Sequence, residues 1–517
     1  MYTGTLIPVP IGEDGLYGPR RVPITGLIQA RGLDLSGLQL EKEGGATSQN
    51  ATPLPSAIVA LFDWWPDAAT QRTIAVTKGG GVYKDDGVSW TFATILAAEG
   101  TLTITQPPML IAGGAEVPAN NRKLFLLTGN DAVRVLSGDG AVLTILASPP
   151  TDFAGARQPG TGCIQQGRLV LLLGHNLYWS LATNHEDFTT AGSGTLPISP
   201  GEGERLTACV PMRGMLPLWK FPRGVYILNT TDPSSANWYY DTQSRAVGCP
   251  GPLAAIGVPN DAVFFDVELN VHVLSATDVA KDATSSDIST PKLSSWVREN
   301  LDASRGAWAC LGWYGDRKQV YAGVSGLGAL KNSRRLKIDF NAADLGPRFD
   351  WSDRDVCESI MLRRVSGIER PYIGTDTGVI YRLDQSARNK DGAGYFGGFQ
   401  TDHTDLAELV PEWAGRRKAF DFLEFLLEGV GAYNLLVNVY IDGVLRTPSP
   451  LAFAMPGSGF ILDLSQLDVD RLSSAALSRV RRRLTWTGTR ISIEGFNGGV
   501  NETFKIVRVY VGARLAE

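Results

Sequence analysis

Histidine and cysteine are scarce in this chain, with 4 and 5 residues among 517. The histidines, His175, His185, His272 and His403, show no HxH, HExxH or HxxxH spacing, so no metal site is expected. His272 falls in mid-strand and reads as a packed residue. The cysteines, Cys163, Cys209, Cys249, Cys310 and Cys357, are odd in number, and each sits in or beside an apolar stretch. That pattern reads as buried thiols, with neither a disulfide framework nor a zinc site. No apolar run approaches the roughly 18 to 20 residues that a membrane helix needs, so no stable membrane insertion is expected. The opening decapeptide, MYTGTLIPVP, lacks a basic start and a continuous apolar stretch, which argues against a secretory signal and for a soluble protein made in a cytoplasm. A net charge of −5 lacks the basic excess of a general nucleic-acid binder, although a surface past which DNA slides stays compatible with it.

Turn formers are plentiful: 58 glycines and 29 prolines accompany 44% apolar residues, an ordinary globular composition rich in turns. The length allows two or more domains. One two-strand phrase recurs about seven times: an apolar run, a Gly, Asn or Asp turn, and a second run with an aromatic or branched residue near its centre. Taking Tyr83, Val133, Tyr178, Tyr226, His272, Lys337 and Tyr381 as markers, the spacings are 50, 45, 48, 46, 65 and 44 residues. A pitch near 45 residues is what four short strands with their turns require, and it predicts an all-β, six- or seven-bladed β-propeller. In the first unit, Ile58–Trp65, Thr73–Thr77, Gly81–Lys84 and Trp90–Leu96 read as strands. In the third, Gly162–Gln166, Leu169–Gly174, Leu177–Leu181 and Leu196–Ser199 do so.

Residues 1–55 precede the repeats and read as an extended N-terminal arm crossing other elements. The propeller is expected over 56–405. The long interval at Thr277–Arg305 reads as an insertion between blades, and Leu293, Trp296, Val297 and Leu301 predict a helix there. Beyond it, 406–517 read as a C-terminal β-sandwich, with strands at Arg416–Leu427, Leu435–Ile441, Phe460–Leu464, Thr489–Gly495 and Phe504–Val511, and one helix over Leu467–Arg483.

The search for chemistry yields no catalytic residue and no cofactor site. The run Gly392 to Gly397 matches GxGxxG literally, but a polar turn precedes it and a strand follows, so it reads as a turn. Asp85-Asp86-Gly87-Val88-Ser89-Trp90 resembles the Asp-box hairpin of sialidase-type propellers, where the Asp bonds backbone amides and the Trp packs between blades. The close acidic pairs Asp353/Asp355 and Asp402/Asp405 read as loop residues, because general acid–base work needs a cleft that sequence does not show. Of the two basic clusters, Arg479/Arg481/Arg482/Arg483 falls at the expected helix C-terminus, where the dipole favours it. The alternative reading is a contact to a phosphate or an acidic partner; the other cluster is Lys331/Arg334/Arg335/Lys337. Three Asn-x-Thr sequons, at Asn50, Asn229 and Asn501, carry little weight without a secretory route.

Several motifs occur in a telling order. Tyr178-Trp179-Ser180 is followed by Asp187-Phe188, Leu196-Pro197-Ile198, Gly201-Glu202-Gly203-Glu204, Leu218-Trp219-Lys220 and Val225-Tyr226-Ile227. Upstream lie Leu27-Ile28-Gln29-Ala30-Arg31 and Leu40-Glu41-Lys42-Glu43-Gly44-Gly45; downstream lie Tyr321-Ala322 and Asn332 to Asp339. Together these resemble the tail hub or nozzle propellers of short-tailed bacteriophages, including the packaged-DNA stabilisation type, over roughly residues 20 to 400. The resemblance implies a structural virion protein in the tail, synthesised in the bacterial host cytoplasm. In such families six copies form a ring under the portal-adaptor proteins, meet tail fibre or tailspike proteins, and make a conduit. That conduit retains double-stranded DNA and passes it without sequence-specific binding. Two alternatives stay open: a glycan-binding or glycan-cleaving tail propeller with an axial cleft, and a kelch- or WD-type scaffold, disfavoured by the absence of Gly-His and Trp-Asp signatures at fixed repeat positions.

Overall fold

Alternation of apolar and polar residues at period two, broken every few residues by Gly, Asn or Asp, dictates short strands and tight turns. The computed structural model of the chain is accordingly all-β, with 51% strand and 5% helix. The structure describes residues 3–7, 27–34, 40–113, 122–201, 203–275, 294–340, 348–407, 411–428, 431, 433–455 and 477–516.

Seven small antiparallel sheets follow one another along the chain. The first holds Ile58–Trp64, Arg72–Thr77, Val82–Asp85 and Phe92–Ala97, and the second Met109–Gly113, Lys123–Leu127, Arg134–Ser137 and Thr144–Ile145. The third holds Thr161–Gln165, Arg168–Leu173, Asn176–Trp179 and Gly194–Pro197; the fourth, Arg205–Cys209, Met215–Phe221, Val225–Asn229 and Tyr239–Ser244. Among the described residues the fifth has three strands, Ala255–Val258, Asp261–Phe265 and Val271–Val273. The sixth holds Cys310–Tyr314, Gln319–Val324, Arg334–Asp339 and Arg348–Ser352, and the seventh begins with Ser359–Val365, Ile368–Gly374 and Ile380–Gln385. The strands expected for the first and third units thus lie within two or three residues of those observed. The helix expected around Leu293–Leu301 is Ser294–Asn300, and residues 276–293 before it lie outside the described residues.

The sheets are joined in a cycle. First strands pack beside first strands from the first sheet to the fourth and from the fifth to the seventh, and the seventh returns to the first. The fourth and fifth sheets meet through Trp219 and Phe264, whose ring centroids are 5.2 Å apart. Both rings are fully buried, and each buried aromatic of this kind contributes about 1.5–3 kcal/mol of burial free energy. Close approach of neighbouring strands leaves no room at some positions: a Cβ on Gly312 would lie 2.4 Å from Ile360, across the junction of the sixth and seventh sheets.

The early residues are woven through the rest of the molecule. Gly45–Ser48 is the fourth strand of the seventh sheet, with Ser48 opposite Tyr381. Leu27–Arg31 lies between Arg348–Ser352 of the sixth sheet and Gly397–Thr401. Through this strand the sixth sheet continues into Gly397–Thr401, Ile491–Asn497, Asn434–Ile441 and Val444–Leu445, with Leu451–Ala454 alongside, giving ten strands in all. A second sheet of six strands contains Leu33–Asp34, Leu40–Lys42, Lys505–Leu515, Lys418–Glu428 and Leu477–Gly488, with Thr3–Ile7 against Lys505–Leu515. One apolar core, including Phe399, Phe420, Phe425, Val437, Val439, Phe453, Ile493 and Val511, is shared by these two sheets.

One expectation is overturned. Residues 477–483 of the expected Leu467–Arg483 helix belong to the strand Leu477–Gly488, paired with Lys418–Glu428; 456–476, which include the expected strand Phe460–Leu464, lie outside the described residues. The reason is visible in the side chains: Val480, Leu484 and Trp486 stand an even number of residues apart and pack on the core, which outweighs the run of arginines between them.

Candidate functional site

The basic cluster on the sixth sheet is where charge concentrates. Along Arg334–Asp339, Leu336 and Ile338 enter the apolar core, so period two sends Arg335 and Lys337 to the opposite face. Both are buried there, and both find partners on the N-terminal segment. Arg335 donates to Glu43, and its other terminal nitrogen lies 3.8 Å from Asp355. Lys337 Nζ donates to the Leu33 carbonyl at 2.7 Å and lies 2.8 Å from Asp350, the residue directly across the ladder, and 3.8 Å from Asp34. Arg354 pairs with Asp355 at 2.6 Å and donates to the Gly44 carbonyl at 2.8 Å. Lys390 reaches Asp355 at 3.0 Å.

Aromatic faces complete the enclosure. Arg354 lies over Tyr395 at 4.6 Å, Lys42 over the same ring at 4.2 Å, and Lys390 over Tyr381 at 4.6 Å. Tyr395 also donates to the Glu43 carbonyl.

Burial sets the protonation states. It opposes the Asp355 carboxylate, but Arg354, Arg335 and Lys390 overcome it and hold the group down to about 2. Burial wins at Asp350, pushed up to about 7 although Lys337 pulls the other way. At Lys337 burial disfavours the cation, yet Asp350 and Asp34 more than offset it and raise the ammonium above its usual range. Lys42 is lowered to about 8, chiefly by burial, and its Nζ has no hydrogen-bond partner among the described residues.

This constellation binds the early residues to the sixth and seventh sheets and fixes their register. A one-residue slip would place Glu43 and Asp34 away from Arg335 and Lys337 and leave buried charges uncompensated. Lys331, at the exposed end of the basic run, pairs with Asp376 at 2.7 Å, and Arg334 lies over Trp351 at 5.2 Å.

Other singled-out residues lie apart from it. Asp353 pairs with Arg31 at 2.6 Å, so the pair Asp353/Asp355 is divided between two sets of partners. Asp405 accepts from the amides of Ala407 and Gly415. The four arginines of the second cluster stand on a strand: Arg481 pairs with Glu424 at 2.6 Å and lies over Phe422 at 4.1 Å, while Arg482 donates to the Ala452 carbonyl at 3.0 Å. His272 is buried, 2.9 Å from Asp266, and stacks on Phe264 at 5.2 Å. No group of three or more metal-ligating side chains occurs among the described residues. All five cysteines are buried and free.

In the Asp-box-like turn, Asp86 accepts from the amides of Val88 and Ser89 at 3.0 and 2.8 Å. Trp90 stacks on Tyr372 of the seventh sheet at 5.0 Å. The glycine run 392–397 is a turn leading into the strand Gly397–Thr401, and Gly392 adopts φ +84°. Asn50 of the first sequon is buried and donates to the carbonyls of Thr52 and Gly378.

Sequence reasoning missed a second group of arginines. Arg317, Arg370, Arg382 and Arg388 line one recess of about 530 Å³ with Asp34, Glu41 and Asp384. They come from four separate segments, so no local spacing announces them.

No helix among the described residues is long and apolar enough to cross a membrane. No family model and no curated protein matches the chain. Among solved structures, the computationally designed Ika8 protein aligns with 66% of this chain and 99% of its own at 9% identity and a TM-score of 0.40. YCF48 bound to D1 peptide aligns with 67% of this chain and 96% of its own at 9% identity and a TM-score of 0.41. Likenesses this distant carry no argument about what the chain does.

Proposed function

We propose that this chain is a structural subunit of a bacteriophage tail, a hub or nozzle protein built on a seven-bladed β-propeller with a C-terminal β-sandwich. In this reading the seven small sheets are the blades, and Gly45–Ser48 closes the ring by completing the last of them. Copies of the chain, six by the resemblance, surround the tail axis beneath the portal-adaptor proteins, retain the packaged DNA and pass it on ejection.

The observation that carries the reading is the weaving of residues 27–34 and 40–48 through both halves of the molecule. A strand shared by the sixth sheet and the C-terminal sheet, together with buried ion pairs from Asp34 and Glu43, makes one continuous body of parts that a hinge would otherwise separate. Such continuity suits the wall of a conduit under load. The order of motifs from Leu27 to Asp339 adds the resemblance to tail propellers, and a net charge of −5 suits a wall that DNA passes without gripping.

Mass photometry and electron microscopy of the purified protein should show rings, and mass spectrometry of purified virions should recover the chain. A monomeric globule that is absent from virions would sink the proposal. A recess of about 280 Å³, where the leads into the first strands of the second to sixth sheets converge, favours one other reading. It is lined by Gln106, Arg157, Gln158 and Arg205 among others, and it keeps glycan recognition in view. Release of oligosaccharide from host polysaccharide on incubation with the protein would decide for cleavage.

A further inference from the structure

The arginine-lined recess has an arrangement that structural ion pairing alone does not account for. Arg317 is anchored on two carboxylates, with Asp34 at 3.1 Å and Asp384 at 2.9 Å, and Arg388 is anchored on Glu41. These carboxylates have further donors and cations as well: Asp34 has Lys337 and Glu41 has Lys505, each at 3.8 Å, and Asp384 accepts from the Tyr314 hydroxyl at 3.3 Å. Arg370 and Arg382 line the same recess with no ion pair among the described residues. Their strands, Ile368–Gly374 and Ile380–Gln385, are neighbours in one rigid sheet, so the two guanidinium groups are presented from a fixed scaffold.

We propose that this recess binds a small multivalent oxyanion, with Arg370 and Arg382 as its principal ligands and Arg317 and Arg388 as the preset flank. The volume lies in the range of small-molecule sites. Guanidinium forks match carboxylate and phosphate oxygens in pairs, and converging arginines repel one another until an anion neutralises them. Because Asp34 and Glu41 hold two of the four arginines, the recess is complete only when the early residues are in place.

Titration calorimetry of the full chain at physiological salt tests this, with inorganic pyrophosphate and citrate as probes for the two sources of such an oxyanion. Saturable binding of either supports the site, and the tighter of the two assigns phosphate or carboxylate chemistry. R370Q and R382Q are each expected to weaken binding about tenfold, as the loss of one charge-assisted contact does, and the double variant more. R364Q, at a 63% exposed arginine outside the recess, should bind like the parent. Thermal midpoints and circular dichroism verify folding, which neither exchange should disturb because neither arginine holds an ion pair among the described residues. Absence of saturable binding to both probes at millimolar concentration overturns the proposal. Unchanged affinity in the folded double variant does the same.

Discussion

The junction between the third and fourth sheets is apolar, whereas the junction between the sixth and seventh combines apolar contact through Tyr314, Tyr321, Ile373 and Leu383 with a buried charged cluster. Val170, Leu172, Leu177, Trp179, Leu206, Leu216, Leu218 and Tyr226 fill the first. Glu43, Arg335, Lys337, Asp350, Arg354 and Asp355 crowd around the second, together with the early strands. Apolar contact is strong but indifferent to small shifts, so it joins neighbours that the chain already delivers in order. Buried ion pairs add little net stability once their desolvation is counted, yet they penalise every wrong pairing. The molecule uses them where a segment must find its place some 300 residues away in sequence, as Glu43 does with Arg335, 292 positions on.

The comparison is broken most severely by removing residues 1–48. That leaves Arg335 and Lys337 buried without Glu43 and Asp34, and the strand Ile380–Gln385 without its outer neighbour. Hydrogen exchange should show protection lost in the sixth and seventh sheets and kept in the second to fourth; uniform loss would mean that the two junctions are not separable. Next in size, Glu43→Ala should cost about 3–5 kcal/mol in chemical unfolding, because it strands a buried guanidinium. On the apolar side, Leu218→Ala should cost about 2–5 kcal/mol through the cavity it leaves. With Glu43→Met/Arg335→Met, much of the Glu43→Ala loss should return, since the unpaired charge is then gone. Failure to recover would show that the pair stabilises in its own right.

A smaller effect concerns pH. Asp355 is held down to about 2 against 3.8 when unfolded, so its contribution is complete above 3.8 and is lost as pH falls towards 2. Asp355→Asn should therefore be destabilised at neutral pH, and the gap to the parent should close across that acid window in urea titrations. Smallest is Lys42→Met. The ammonium is lowered to about 8 by burial and lacks a hydrogen-bond partner among the described residues, so its removal should stabilise by at most about 1 kcal/mol at pH 7, the lost contact with the Tyr395 ring taking back part of the gain. That gain should shrink as pH rises from 8 towards 10.5.

Much of the local structure was legible in the sequence, because strands and turns are written in neighbouring residues. The alternation in Leu435 to Ile441 gave the strand Asn434–Ile441, and Asp86 with Ser89 gave the turn. Residues 477–483 form a strand and not the expected helix: four arginines dominate that stretch, while the signal lies in Val480, Leu484 and Trp486, which share one face. The charged junction was half legible. Lys331 to Lys337 stood out as a basic run, but its partners Asp34 and Glu43 did not, since no local rule links residues so far apart. The arginine recess left no trace at all, because Arg317, Arg370, Arg382 and Arg388 meet only after the sheets are stacked.

The placement of Gly45–Ser48 opposite Ile380–Gln385 also sets an order in time. On a ribosome the strand that completes the seventh sheet emerges before its partner, which follows more than 300 residues later. At typical elongation rates that interval is roughly 20 to 70 s. Throughout it the nascent chain carries an unpaired strand and a row of carboxylates with no cations to meet, while the sheets in between assemble from nearest neighbours. Pairing of the early strand thus waits until residues 380–385 have been made, and a chain stalled before residue 380 holds that strand open to any other edge within reach.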